Sequence, residues 1–216
     1  MNESPLPTSA YWIESTLYSP LVERAFRVAA GAHRSQTRKA SGLPYFQHPA
    51  SVALILARAG FNEDEILAAA ILHDTIEDTE CSAESLTADF PETVVKLVLE
   101  CSEQKTDASG TKIPWKNRKE SHIADVRQAS LSARAIVLAD KLHNLGSMAF
   151  DLENGEELWS RFNASPQDVI WYHQEIVAAA TALPASADLQ ISDRIRMLAT
   201  ECQQLIDHLF ETVSKT

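Results

Sequence analysis

Glycine is scarce in this chain, with six in 216 residues. Nowhere do apolar and polar residues alternate for the length of a strand. With Ala and Leu plentiful, these two absences argue against a sheet and for helices. Cysteine is scarce too. Cys81, Cys101 and Cys202 are odd in number and form no CxxC pair. A disulfide framework or a thiolate zinc site is therefore not expected, and a reducing cytoplasm is the simplest setting. The three read as small buried or half-exposed thiols. The strongest apolar run, Ile66–Leu72, has seven residues, too few to span a bilayer. The first residues also lack the basic-then-apolar order of a secretion signal. Positive charge is in short supply, 19 Lys and Arg against 30 Asp and Glu, for a net charge of −11. Neither a nucleic acid nor a membrane is the expected partner of such a surface. A phosphate-rich small molecule would need a local basic patch.

What is present suits a globular domain: 45% apolar and 23% charged residues. The length fits one domain with a sizeable core. Residues 1–18, with Pro5 and Pro7, read as an irregular lead-in. Ser19-Pro20 reads as an N-cap and first helical position. Pro49 opens a second helix that Gly60 ends. Asn62, with Glu65 three residues on, reads as the cap of a third helix, apolar nearly all round and therefore central. Ser82, Pro91 and Pro114 start further helices, and Lys105–Lys112 is a polar loop. Ser132–Asp151 is a long buried helix, Gly155–Phe162 a short one, and Ser165-Pro166 caps another running to Leu183. Ile191–Val213 is a final amphipathic helix. The expectation is an all-α fold of about ten helices in a single domain.

Four residues carry the chemistry. His48 lies just before the second helix, His73-Asp74 follow the apolar run, and Asp140 follows Ala135–Ala139. Singly, His73 reads as a satisfied core histidine and Asp140 as a partner of adjacent Lys141. Jointly, two buried-looking carboxylates and two imidazoles suit one divalent ion, because buried Asp is costly unless paired or bound to a cation. Two nitrogens, two oxygens and no thiolate suit Mn²⁺ or Fe²⁺ and leave Zn²⁺ open. Glu77 and Asp78 stand four residues beyond His73 and Asp74, where a continuing helical path would crowd all four on one side. They read as acid–base groups for a metal-assisted reaction, or as an acidic solvated helix end. Asn144 shares a face with Asp140 and could meet a substrate hydroxyl or cap a turn. Arg34, Arg38 and Lys39, and then Lys112, Lys116, Arg118 and Lys119, are candidate phosphate contacts or ordinary surface charge.

Four segments resemble the hydrolase domain of RelA/SpoT-type alarmone enzymes. They are Ala32-His33-Arg34…Arg38-Lys39…Gly42-Leu43-Pro44-Tyr45…His48-Pro49, then Leu72–Thr79, then Pro114–Lys119, then Leu138–Leu145. The third is similar to the small stand-alone, Mesh-type members. The likeness covers about residues 20–183 and implies an HD-domain phosphohydrolase fold. Residues 19–183 are then the hydrolase domain, and 184–216 a packing helix of the same domain. The family implies one Mn²⁺ held at His48, His73, Asp74 and Asp140, with Glu77 and Asp78 as the catalytic pair. Arg38 matches the residue that stacks on guanine, Lys39 its basic neighbour, and Asn144 a position near ribose and phosphates. Lys116 and Arg118 remain candidate substrate contacts. The implied reaction converts ppGpp or pppGpp to GDP or GTP and pyrophosphate, the hydrolysis of an alarmone of the stringent response. Alternatives are an HD hydrolase of NADPH 2′-phosphate, a dNTP or a nucleoside monophosphate, or a non-catalytic nucleotide-binding module. Loop Lys39–Gly42 is longer than in the long bifunctional enzymes, which loosens the register of Arg38. The chain is also too short for their synthetase and regulatory domains. A homo-oligomer is compatible with the composition.

Overall fold

The computed structural model describes residues 17–38, 41–155 and 157–214. Among them are ten α-helices: α1 (Pro20–Ala32), α2 (Gln47–Arg58), α3 (Asp64–Leu72), α4 (Thr75–Asp78), α5 (Ala83–Asp89), α6 (Glu92–Cys101), α7 (Trp115–Gln128), α8 (Leu131–Glu153), α9 (Pro166–Thr181) and α10 (Leu189–Ser214). No strand forms among these residues. The only β pairings are the isolated bridges Thr37–Pro44 and Thr106–Lys112, which close the two polar loops.

Local chemistry starts several helices as expected. The hydroxyls of Ser19, Ser130 and Ser165 accept from the backbone of Val22, Ala133 and Asp168. Ser82 and Ser85 form a capping box. The third helix departs from the expectation: its N-cap is Glu63, without a side-chain bond, and Asn62 stands outside. Asp64 instead receives the Ser19 hydroxyl, so a tertiary contact ties α3 to α1 where a local cap was expected. The second helix begins two residues before Pro49, which puts His48 inside its first turn. The expected short helix at Gly155–Phe162 is only one 3-10 turn, Trp159–Arg161. Gly155, at φ +78°, has already ended α8, and Pro166 disfavours helical backbone at the residue before it.

α3 is the central element. Ile66 and Ala68–Leu72 are all buried, and the helix packs against α1, α2, α6 and α8. α8 is the long strut, touching α2, α3, α6, α7, α9 and α10. Buried Arg134 near its start donates to the carbonyls of Arg127, Ala129 and Ala182, which pins α8 to the ends of α7 and α9. α10 lies along α8 and α9 and buries Ile195, Leu198, Cys202, Ile206 and Leu209. Gly60 lets it approach the end of α2: at φ +90°, a Cβ there would sit 3.0 Å from Arg194 Nε.

Candidate active site

Three elements converge at the floor of a cleft of about 640 Å³. α2 brings His48, the end of α3 brings His73 and Asp74, and the middle of α8 brings Asp140. His48 Nε2 lies 3.4 Å from Asp74 Oδ2 and 3.1 Å from Asp140 Oδ1. His73 Nε2 lies 3.1 and 3.8 Å from the same two oxygens. Neighbouring ligands about 2.1 Å from a common ion stand roughly 3 Å apart, so the spacing fits one divalent cation. His48, His73 and Asp74 form the tightest group. Asp140 Oδ1, within 3.8 Å of both imidazoles, completes it.

The ring tautomers agree with that fit. His73 Nδ1 bonds the Ala70 carbonyl at 2.7 Å, so it carries the proton and leaves Nε2 bare toward the cluster. Nε2 is buried and makes no hydrogen bond. Burial alone would raise the carboxyl pKa values of Asp74 and Asp140. The two imidazoles, with Lys141 beside Asp140, outweigh it and hold both well below the usual range. Burial would likewise lower the pKa of His73, but the charge of Asp74, with that of Asp140, holds it well above the imidazole range. The cluster attracts positive charge, as a cation site does. On its far side His48 Nδ1 meets His143 Nδ1 at 2.8 Å.

Glu77 and Asp78 stand beside the cluster on α4, whose tight path is closed by the Asp78 N–H donating to the Asp74 carbonyl at 2.9 Å. Lys105, from the loop after α6, contacts both carboxylates and donates to the Glu77 carbonyl. Tyr45 O–H donates to Asp74 at 2.6 Å and lies 3.4 Å from Asp78. Glu77 also accepts from the Glu103 N–H. Burial, then the charge of Asp74, raises the Glu77 pKa despite Lys105. Farther along, buried Glu103 is clamped by Arg118 and Lys119, and Lys119 and Lys141 lie over the Tyr172 ring.

The residues singled out in the sequence do not all meet. His48, His73, Asp74, Asp140, Glu77, Asp78, Arg38, Asn144, Arg118 and Lys119 line this one cleft, whereas Arg34 and Lys112 are exposed outside it. Arg38 Nη2 donates to Asn144 Oδ1 at 2.9 Å, and Asn144 Nδ2 donates to Asp140 Oδ1 at 2.6 Å. Lys116 does not join them: it is exposed, its ammonium over the Trp171 ring. Lys39 lies outside the described residues. Sequence reasoning gave no role to Tyr45, Glu103, Lys105, His143, Asp151 or Tyr172. Tyr45 and His143 carried a signal, each as part of a recognised segment; the others sit in unremarkable local contexts.

An all-helical bundle that gathers a His, a His-Asp pair and a distant Asp around one cation-sized gap defines a class, and the comparisons agree. The profile of the HD-domain family matches residues 25–169, and the chain belongs to that family. Within it, the human guanosine-3′,5′-bis(diphosphate) 3′-pyrophosphohydrolase MESH1 is 40% identical over 119 residues, 54% of this chain and 63% of its own. The chain thus spans somewhat less than two thirds of that relative. The Drosophila melanogaster MESH1 is 31% identical over 170 residues, 78% of this chain and 89% of its own. A solved structure described as a metazoan ortholog of SpoT that hydrolyses ppGpp superposes with a TM-score of 0.69. It is 25% identical, with 87% of this chain and 98% of that one covered.

Proposed function

We propose that this chain is a divalent-metal-dependent hydrolase that removes the 3′-pyrophosphate of ppGpp or pppGpp. The products are GDP or GTP and pyrophosphate. The observation that carries the reading is the His48, His73, Asp74 and Asp140 cluster with two further carboxylates beside it in one cleft. The relatives' substrate, named above, supplies the nucleotide. The four residues hold the ion, and Mn²⁺ is our assignment because the set mixes imidazole with carboxylate and has no thiolate. Bound there, the ion supplies Lewis acidity toward a water and toward the phosphoryl oxygens.

Asp78 takes the proton of the attacking water, with Tyr45 and Lys105 fixing its orientation. The water oxygen forms the new bond to the phosphorus on the ribose 3′-oxygen, and the old P–O3′ bond breaks. Glu77, its carboxyl pKa raised by burial and then by the charge of Asp74, protonates the departing 3′-oxygen. Arg38 stacks on the base, Asn144 meets the ribose, and Arg118, with Lys119 and Lys141, supports the phosphates. Lys39 joins Arg38, and Lys116 has a peripheral part. Residues 19–183 are the hydrolase unit, which 184–216 braces. The free thiols fit a reducing compartment, and the cytoplasm is our assignment. No helix among the described residues is long and apolar enough to cross a membrane.

The test is product analysis with ppGpp after chelation and after Mn²⁺ add-back. Release of GDP and pyrophosphate only with metal supports the reading. Full activity in verified metal-free protein removes the metal's role. An inert ppGpp beside turnover of NADPH or a dNTP replaces the substrate.

A further inference from the structure

One buried charge in the cleft takes no part in the chemistry above. Asp151 lies on α8, seven residues beyond Asn144 and eleven beyond Asp140. At these helical offsets Asp140, Asn144, Ser147 and Asp151 share one face of α8, and all four line the cleft. With a 1.5 Å rise per residue, Asp151 stands about 10 Å past Asn144, at the end away from the cation cluster. It is only 8% exposed. Its carboxylate has no hydrogen-bond or ion-pair partner among the described residues, unlike the other buried carboxylates, Glu103 and Asp140. Met148, one turn before it, and Leu158 and Phe162, just after α8, line this stretch of the cleft together with Arg161 and Asn163.

A carboxylate that no other described residue engages, on a side chain this enclosed, leaves both oxygens for a ligand that donates to them from the cleft. Among the common bases, guanine offers two adjacent in-plane donors, N1–H and the 2-amino group. Adenine presents its 6-amino group beside the N1 lone pair, which would face a carboxylate oxygen. Arg38, bonded to Asn144 and 5.8 Å from the Tyr45 ring, provides a planar stacking surface nearer the cluster. We propose that Asp151 is the base-reading residue of this cleft, accepting from guanine N1–H and the 2-amino group and excluding adenine. This rests on the nucleotide reading above, and its test does not depend on turnover.

The probes are GDP, IDP and ADP, titrated calorimetrically against wild type, Asp151→Ala and Asp151→Asn. IDP differs from GDP only in lacking the 2-amino group. Wild type should bind GDP about 10- to 100-fold more tightly than IDP or ADP, the range of hydrogen bonds to a charged group. In Asp151→Ala the three should bind alike. Asp151→Asn keeps the shape but turns an N–H toward a guanine donor, and should lose the preference too. Both variants should melt close to the wild-type temperature without ligand, since the Asp151 carboxylate bonds to no other described residue. The proposal is overturned if wild type shows no preference, if either variant keeps it, or if both variants melt well below wild type. A retained GDP preference with inert ppGpp would overturn the assigned reaction and leave the base reading standing. In turnover assays the same variants should raise KM for ppGpp with kcat little changed.

Discussion

Glu77→Gln should separate chemistry from binding. The amide keeps the acceptor for the Glu103 N–H but cannot carry the transferred proton. We expect kcat to fall by roughly 10² or more with Mn²⁺ affinity unchanged, as measured by steady-state kinetics beside Mn²⁺ titration. Turnover near wild type would make Glu77 a solvated helix end. Arg38 belongs to binding. Arg38→Ala should raise KM by roughly 5- to 150-fold, the worth of one stacked base. Arg38→Lys should not rescue it, since the ammonium loses the plane; a Lys variant that behaves as wild type would reduce Arg38 to a point charge. His143 acts through His48. With His48 Nε2 facing the cluster, its Nδ1 carries the proton and His143 Nδ1 accepts it. His143→Ala should weaken Mn²⁺ binding by about 10- to 100-fold, and His143→Asn, whose side-chain oxygen can accept from the same place, should recover most of it. Equal affinity in His143→Ala, read by electron paramagnetic resonance of free Mn²⁺, would rule out that role.

At the scale of elements, Glu103 joins the segment after α6 to α7. Its side chain is 4% exposed and meets Arg118 and Lys119, while its N–H holds Glu77. Burial would raise its pKa, but Lys119 and Arg118 outweigh that and hold it below the usual carboxylate range. A carboxyl depressed on folding adds stability above its unfolded pKa and loses it as pH falls through the folded one. Glu103→Gln should therefore cost about 3 kcal/mol near neutral pH, the scale for breaking a buried ion pair from one side. The gap between variant and wild type should close as pH drops below about 4.5. Urea melts across that range check it, and a gap that is flat with pH would show that the charge of Glu103 contributes nothing.

For the whole molecule, the question is whether α10 is an appendage or part of the core. Its buried face and its contacts with α8 place it in the core, directly behind the helix that carries Asp140 and Asn144. Ile206, 1% exposed, tests this. Ile206→Ala should cost about 2–5 kcal/mol by lost burial and cavity formation. At about 2–4 °C per kcal/mol, the melting temperature should fall well outside error. Added Mn²⁺ should still raise the melting temperature, because binding to the folded state alone stabilises it by mass action. A variant that melts as wild type would make α10 a loose attachment.

Much of this was legible in the residues because it is local. Ser19, Ser82 and Ser165 announce helix starts through hydroxyls that reach a backbone N–H three residues on, and α3 shows its central place by being apolar all round. Helical spacing also put Glu77 and Asp78 on the side of His73 and Asp74. What sequence could not decide depends on partners far along the chain. His48 and His143 are 95 residues apart, Arg38 and Asn144 106. Lys105 reads as one more loop lysine until packing sets it against α4. Lys116 and Arg118 look equivalent in sequence, but α9 covers their helix so that Arg118 lines the cleft and Lys116 rests on Trp171. Asp151 reads as the acidic end of a helix, yet only the tertiary structure buries it without a partner. The sequence by itself determined which groups could bind a cation and move a proton, since that is a property of side chains and their near neighbours. The tertiary structure alone decided which of them meet, because burial and electrostatic pairing depend on distance in space and not on separation along the chain.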